Sequence, residues 1–318
     1  MNSIWTKLKK PFFLQAPMED VTDTAFRQII AECGKPDLFF TEFTNADGLV
    51  SEGKYAVIRR LKYTEIERPI IAQIWGNTPD NYFKAAKLIK EMGFDGIDIN
   101  MGCPVRAVVK KGFCAGLINN PNLAREIIIA TKKGAGNLPV SVKTRIGYND
   151  IKTEEWFTVL LETNLDAITV HGRTAKEMSK VPVHWDEIAK VVKLRDTLKK
   201  STLIVGNGDI VTCDDAYEKI EKYELDGVMI GRGLFSNLWI FNENVRPEDV
   251  SFNDKLELLK KHLTLYKQTY GDTKKFDTMK KFYKVYISGI PNASELRLQL
   301  MECKTIDETI KAISEISH

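Results

Sequence analysis

The sequence predicts an α/β fold, a parallel (β/α)8 TIM barrel followed by a small C-terminal all-helical domain, and three observations carry that prediction. Between Phe12 and Ile230, eight short runs rich in Val, Ile and Phe recur, each followed by a polar or glycine turn and then by helical periodicity. That alternation belongs to a parallel sheet. The turn after the first run reads Ala16-Pro17-Met18-Glu19-Asp20, whereas the rival architecture, an open doubly wound sheet, typically places a glycine-rich phosphate loop there. After about residue 240 the pattern becomes helical with no strand between, so a second unit follows the barrel.

Taken in order, the expected strands are Phe12 to Ala16, Leu38 to Thr41, Ile70 to Ile74, Gly96 to Asn100, Val140 to Lys143, Ala167 to Val170, Leu203 to Val205 and Gly227 to Ile230. Between them, Thr78-Pro79 and Asn120-Pro121 each set a capping side chain before a first-turn proline, which lacks an N–H that a helix start leaves unpaired. Apolar residues from Phe83 to Met92 fall at helical spacing. Pro247 and Asn253 mark a polar link, after which Leu256 to Tyr270, Met279 to Ser288 and Ala293 to Ile316 read as helices. Residues 1–240 are therefore expected to form the barrel and residues 245–318 a helical domain.

Composition sets the outer limits. The 318 residues are 43% hydrophobic, enough for one large core, and the formal net charge of +3 neither demands nor excludes a polyanionic partner. Lys7, Lys9 and Lys10 are followed by no long apolar region, so Met1 to Lys10 does not read as a secretion signal, and no run approaches a membrane span. The five cysteines are scattered without CxxC spacing, which points to reduced thiols in a cytoplasm.

In such a barrel the working residues project from the C-terminal ends of the strands. Those positions read Pro17-Met18, Glu42, Gln73, Asn100-Met101-Gly102-Cys103-Pro104, Lys143-Thr144-Arg145, His171-Gly172-Arg173, Asn207-Gly208-Asp209 and Gly231-Arg232-Gly233. The last two loops suit a phosphate held by glycine backbone N–H groups, although glycine is also the ordinary residue of βα turns. Lys143 is an inward rim cation that would stabilise charge developing on a bound ring such as a reduced flavin, and Gln73 can donate and accept at a ring edge; the bland alternatives are a solvated lysine and a satisfied core amide.

Cys103 follows a strand end, where Gly102 and Pro104 force a turn that would expose its thiol as a proton donor. Taken alone a cysteine is more often a small buried apolar residue, as expected for Cys114. His171 is one of four histidines, with His184, His262 and His318. It could bind phosphate, hydrogen-bond a cofactor, shuttle protons or merely cap a strand end. No HExxH, metal-ligand cluster or nucleophile elbow is present in the sequence, so neither a metal site nor a Ser-His-Asp triad is expected.

Together, Ala16-Pro17-Met18 with Asp23, Ala72-Gln73-Ile74, the Asn100 to Pro104 motif, Val142-Lys143-Thr144-Arg145, His171-Gly172-Arg173-Thr174, Gly206-Asn207-Gly208-Asp209 and Ile230-Gly231-Arg232-Gly233 resemble the bacterial tRNA-dihydrouridine synthases in order and spacing. The resemblance is strong over about residues 11–240 and weaker beyond. It implies FMN on the rim, reduced by NADPH, with Pro17 and Met18 packed on it, Gln73 and Lys143 at the ring, His171 near the flavin, and Asn207, Gly208, Gly231 and Arg232 near its phosphate. It further implies reduction of the C5–C6 bond of a uridine in tRNA, with hydride passing to C6, Cys103 protonating C5 as general acid, and Asn100 orienting the base. Arg145 and Arg173 become expected substrate contacts. The family's further arginine and its tyrosine-glycine stretch are replaced here by Ala175-Lys176-Glu177 and Val181-Pro182-Val183.

RNA binding would draw on Lys274, Lys275, Lys280, Lys281 and Lys284, interleaved with Phe276, Phe282, Tyr283 and Tyr286. Arg106, Lys110 and Lys111 could hold the backbone beside the reacting base. Three other readings compete: the same reaction on ribosomal RNA, a flavin-dependent reductase of free pyrimidines, and a non-catalytic RNA-binding protein. No obligate protein partner is implied.

Overall fold

A computed structural model of the chain describes residues 3–316; His318 lies outside the described residues. Nine strand segments form one wholly parallel sheet: β1 (Phe12–Gln15), β2 (Phe39–Phe40), β3 (Thr44–Asn45), β4 (Ile70–Trp75), β5 (Gly96–Met101), β6 (Val140–Arg145), β7 (Ala167–His171), β8 (Leu203–Asn207) and β9 (Gly227–Ile230). The hydrogen-bonded order runs β1-β9-β8-β7-β6-β5-β4-β2. A parallel bridge between Leu14 and Leu38 closes the ring, with the Gln15 N–H donating to the Leu38 carbonyl at 3.2 Å. β2 and β3 both pair with β4 and are two pieces of one stave, so the barrel has eight staves. The piece Thr44–Asn45 is not expected from the sequence; β2 and β3 flank a break at which Glu42 turns to accept from the Asp20 N–H at 2.7 Å.

Side-chain alternation along the strands separates two cores. One side of the sheet packs against the surrounding helices and carries residues such as Ile70, Ile74, Ile97, Ile99, Val140 and Val142. The other fills the barrel, where Phe12, Leu14, Phe40, Ile71, Val205 and Met229 make an apolar base capped by Trp5. Above that base the same alternation places Gln73, Asp98, Asn100, Ser141, Lys143 and Asn207 inside the barrel, so its upper layers are polar. This division of base and mouth is what positions the site.

The helix expected around Phe83–Met92 runs Pro79–Glu91, but Thr78 makes no capping hydrogen bond. Asn120 does cap its helix, accepting from the Leu123 N–H at 3.2 Å. At the C-terminal side, a long helix spans Phe252–Tyr270, whereas Met279–Ser288 is a 3-10 segment (Phe276–Phe282) running into one short helical turn (Tyr283–Tyr286). The stretch expected as one helix to Ile316 is two, Ala293–Glu302 and Ile306–Ile316. These helices share a continuous core with the outer layer of the barrel. His262 stacks on Phe26 of the helix Thr24–Cys33 with centroids 5.4 Å apart, and Lys274 pairs with Asp23 at 2.9 Å, both nearly fully buried. Among the described residues, no helix is long and apolar enough to cross a membrane.

Candidate active site

A cleft of about 520 Å³ opens at the C-terminal ends of β1, β6, β7, β8 and β9. Pro17 and Met18 form one wall, and Lys143, His171, Asn207, Gly208, Gly231 and Arg232 line the rest. Gly208 has φ +141°, and a Cβ there would meet Val183 Cγ2 at 2.7 Å, so backbone conformation and space both demand glycine. The Lys143 Nζ donates to Asn207 Oδ1 at 2.9 Å, and the Asn207 amide is fixed in turn by donating to the Met229 carbonyl at 2.7 Å.

The electrostatics favour an anion. Burial pushes the Lys143 ammonium down to about 8, with the Arg145 charge acting in the same direction. Burial also depresses His171 well below the usual histidine range, helped by Arg145, Lys143, Arg173 and Arg232. Its Nε2 is buried without a hydrogen-bond partner among the described residues. Arg232 is largely exposed and uses one nitrogen on Asp209 Oδ1, leaving other donors free for a ligand. An orphaned imidazole nitrogen and a desolvated lysine on one wall fit a group carrying both a hydrogen-bonding ring and a phosphate, as a flavin mononucleotide does.

Cys103 stands just beyond β5, whose register pairs Asn100 with Lys143 and Met101 with Thr144 on β6. Its sulfur is half-buried, and a hydrogen bond from the Cys114 thiol lowers its pKa to about 7; burial opposes this, while the Val105 backbone and the Arg145 charge add to it. Cys114 itself is fully buried, as the sequence suggested, at φ +50°. What sequence reasoning does not anticipate is that it serves as the partner of Cys103.

Several residues expected to touch cofactor or substrate also make hydrogen bonds within the rim. Asn100 Oδ1 accepts from the backbone N–H groups of Gly102 and Cys103, both at 3.0 Å, and its Nδ2 donates to Gln73 Oε1 at 3.0 Å. Gln73 is fully buried and its Nε2 donates to Asp98 at 2.6 Å. Arg145 donates to the Gly102 carbonyl at 2.7 Å and to those of Thr174 and Met178, each at 3.0 Å. Arg173 is 2% exposed, donating to the Val181 carbonyl and pairing with Asp209.

The C-terminal basic segment is likewise engaged. Lys280 donates to the Met301 carbonyl at 2.8 Å and pairs with Asp277, and Lys281 donates to the Asp20 carbonyl. Phe282, Tyr283 and Tyr286 are buried in the core and offer no face on which a base could stack. Lys284, Arg106, Lys110 and Lys111 remain exposed. Glu19, Asp20 and Glu42 bring carboxylate oxygens within 4.8 Å of one another, but Arg60 is bonded to Glu19, and burial raises the Glu42 pKa to about 7 with the Lys274 charge only partly opposing.

A closed parallel barrel that joins a cleft lined by Lys143, His171 and Arg232 to a conditioned thiol on the same rim has the layout of an enzyme working at the C-terminal face of its strands. The family is then settled by sequence. Residues 14–317 match the family model described as dihydrouridine synthase. The chain is 45% identical over 317 residues to a probable tRNA-dihydrouridine synthase of Staphylococcus aureus strain COL, covering 99% of this chain and 95% of that one. It is also 45% identical over 310 residues to probable tRNA-dihydrouridine synthase 2 of Bacillus subtilis strain 168, covering 96% and 94%. This chain belongs to the dihydrouridine synthase family. In fold it is similar to histamine dehydrogenase from Rhizobium sp. 4-9 (TM-score 0.58, 15% identity, 80% of this chain and 48% of that one). A 2-naphthoyl-CoA reductase is comparable (TM-score 0.59, 12% identity, 78% and 52%).

Proposed function

We propose that this protein reduces the C5–C6 bond of uridine in tRNA to dihydrouridine, working in the cytoplasm on loop uridines such as those of the D-loop. When bound, FMN reduced by NADPH would supply the hydride for C6 of uracil. Pro17 and Met18 would pack on the bound cofactor, Lys143 and the unpartnered His171 nitrogen would meet the ring or its side chain, and Gly208, Gly231 and Arg232 would receive the phosphate. Asn207 acts one step back, aiming the Lys143 ammonium, and Gln73 acts from beneath through Asn100. Cys103 delivers the proton to C5, so that hydride and proton together add two hydrogens across the double bond. A thiol with a pKa near 7 suits that task, being partly protonated at working pH and a competent donor.

The target base must leave its stack to reach such a rim, at a cost of about a few kcal/mol that is least in a loop. Arg106, Lys110 and Lys111, exposed just beyond Cys103, are placed to hold the flanking phosphates. The observation that carries the proposal is the pairing of the half-buried, hydrogen-bonded Cys103 thiol with an anion-binding cleft on adjacent strands. Its test is Cys103→Ala: dihydrouridine in tRNA should fall by about a hundredfold or more, while bound flavin and its reduction by NADPH persist. Normal dihydrouridine levels in that variant would refute the assignment.

A further inference from the structure

We propose that Asp98, a buried carboxylate with no place in the cleft, is a positioning residue that fixes the geometry of Cys103 through a one-directional relay of two side-chain amides. This inference rests on the reading of Cys103 as the acid.

The relay runs up the inside of the barrel. Asp98 is fully buried on β5; its Oδ1 accepts from the Ser141 hydroxyl at 2.5 Å, and its Oδ2 accepts from Gln73 Nε2 at 2.6 Å. An ionised carboxylate can only accept. Its presence therefore decides which end of the Gln73 amide points down, and Oε1 is left to face Asn100. Asn100 must then present Nδ2 to that oxygen, which it does at 3.0 Å. That choice turns Oδ1 upward, where it collects the N–H groups of Gly102 and Cys103 at 3.0 Å each. Without a fixed acceptor at the base, either amide could rotate by half a turn. The Asn100 NH2 would then face two N–H donors and release the loop that carries the sulfur. Burial raises the Asp98 pKa to about 6, opposed by its bonds to Ser141 and Gln73 and by the Lys143 charge, so the group is mostly ionised at neutral pH.

The comparison of Asp98→Ala with Asp98→Asn tests this. Asparagine can still accept from Gln73 while donating to the Ser141 oxygen, so it preserves the direction of the relay; alanine does not. In Asp98→Ala the amides of Gly102 and Cys103 should exchange with deuterium about tenfold faster, with β8 amides unchanged, and kcat for dihydrouridine formation should drop about tenfold with little change in KM for tRNA. Asp98→Asn should return both quantities to within about threefold of the wild type. Should the alanine variant not fold, Ser141→Ala carries the same exchange measurement with an expected acceleration of about threefold. Unchanged exchange at Gly102 and Cys103 in whichever variant folds overturns the relay, as does an Asp98→Asn protein no better than Asp98→Ala. Amide exchange is read without RNA, so it stands apart from the acid assignment. Fast exchange in Asp98→Ala beside an active Cys103→Ala would leave the relay standing and remove the acid.

Discussion

The Cys114 thiol has the largest influence on the ionisation of Cys103. Because the Cys114 thiol is the largest influence lowering the Cys103 pKa to about 7, alkylation of Cys103 by iodoacetamide should rise with pH around a midpoint near 7. Cys114→Ala should move that midpoint up towards the ordinary thiol value of about 8.5, and Cys114→Ser, which keeps a donor, should fall between. Peptide mass spectrometry of the labelled protein gives the midpoints, and a wild-type value near 9 would contradict the arrangement. Cys103 itself was legible in the sequence, since Gly102 and Pro104 mark a turn at a strand end. Its partner was not, because only the 3-10 segment Cys114–Asn119 folds that second thiol back onto the loop. For Asn100, Arg145 and Arg173, residue type and strand position announce a polar rim but not the hydrogen bonds these side chains make within it. Whether a guanidinium faces a ligand or the Gly102 carbonyl depends on where other loops end.

At the scale of elements, the helix Thr24–Cys33 is tied to the following rim by an ion pair that solvent does not reach. Arg27 bonds Glu67 at 2.5 Å with both side chains at 0% exposure, and Arg27 also donates to the Lys62 carbonyl at 2.7 Å. Glu67 accepts further from the Thr64 backbone N–H at 2.8 Å. Removing one member of such a pair strands the other in a low-dielectric interior, so Arg27→Met should cost about 3–5 kcal/mol of unfolding free energy by urea titration. A loss under about 1 kcal/mol would show that the pair is replaceable by packing alone. Elements with a strong apolar alternation were read to within a residue or two, Gly227–Ile230 without error. Those that failed have identifiable causes. Thr44–Asn45 is a strand only by pairing with Ile74 and Trp75, which no local pattern encodes. Phe276, Met279 and Phe282 recur every third residue, which matches the three-residue turn of a 3-10 helix better than the α-helical period used to read them.

For the molecule as a whole, the C-terminal helices and the barrel are one cooperative body because Leu259, Leu263 and Tyr266 pack in the same core as Phe26 and Ile30. Deleting residues 245–316 would therefore expose the barrel's own flank, and a loss of activity on that deletion would say nothing about RNA binding. His262 sits at the centre of this junction, stacked on Phe26, edge-on to Phe282 at 4.8 Å and 2.9 Å from the Tyr286 hydroxyl through Nδ1. Burial presses its pKa down to about 4, with the nearby Asp23 carboxylate only partly opposing. In the unfolded chain the same imidazole titrates near 6.5. Between those two values the unfolded state binds the extra proton, so His262 contributes its full stability above about pH 6.5 and progressively less as pH falls towards 4, by roughly 3 kcal/mol in total. His262→Gln keeps an acceptor for Tyr286 but cannot titrate. Urea unfolding at a series of pH values should show the wild type losing stability relative to that variant from pH 6.5 downward, with no change in their difference between pH 7 and 8. If the two proteins keep a constant difference down to pH 4.5, the imidazole is not held neutral at the junction and the acid sensitivity of the whole must come from its carboxylates.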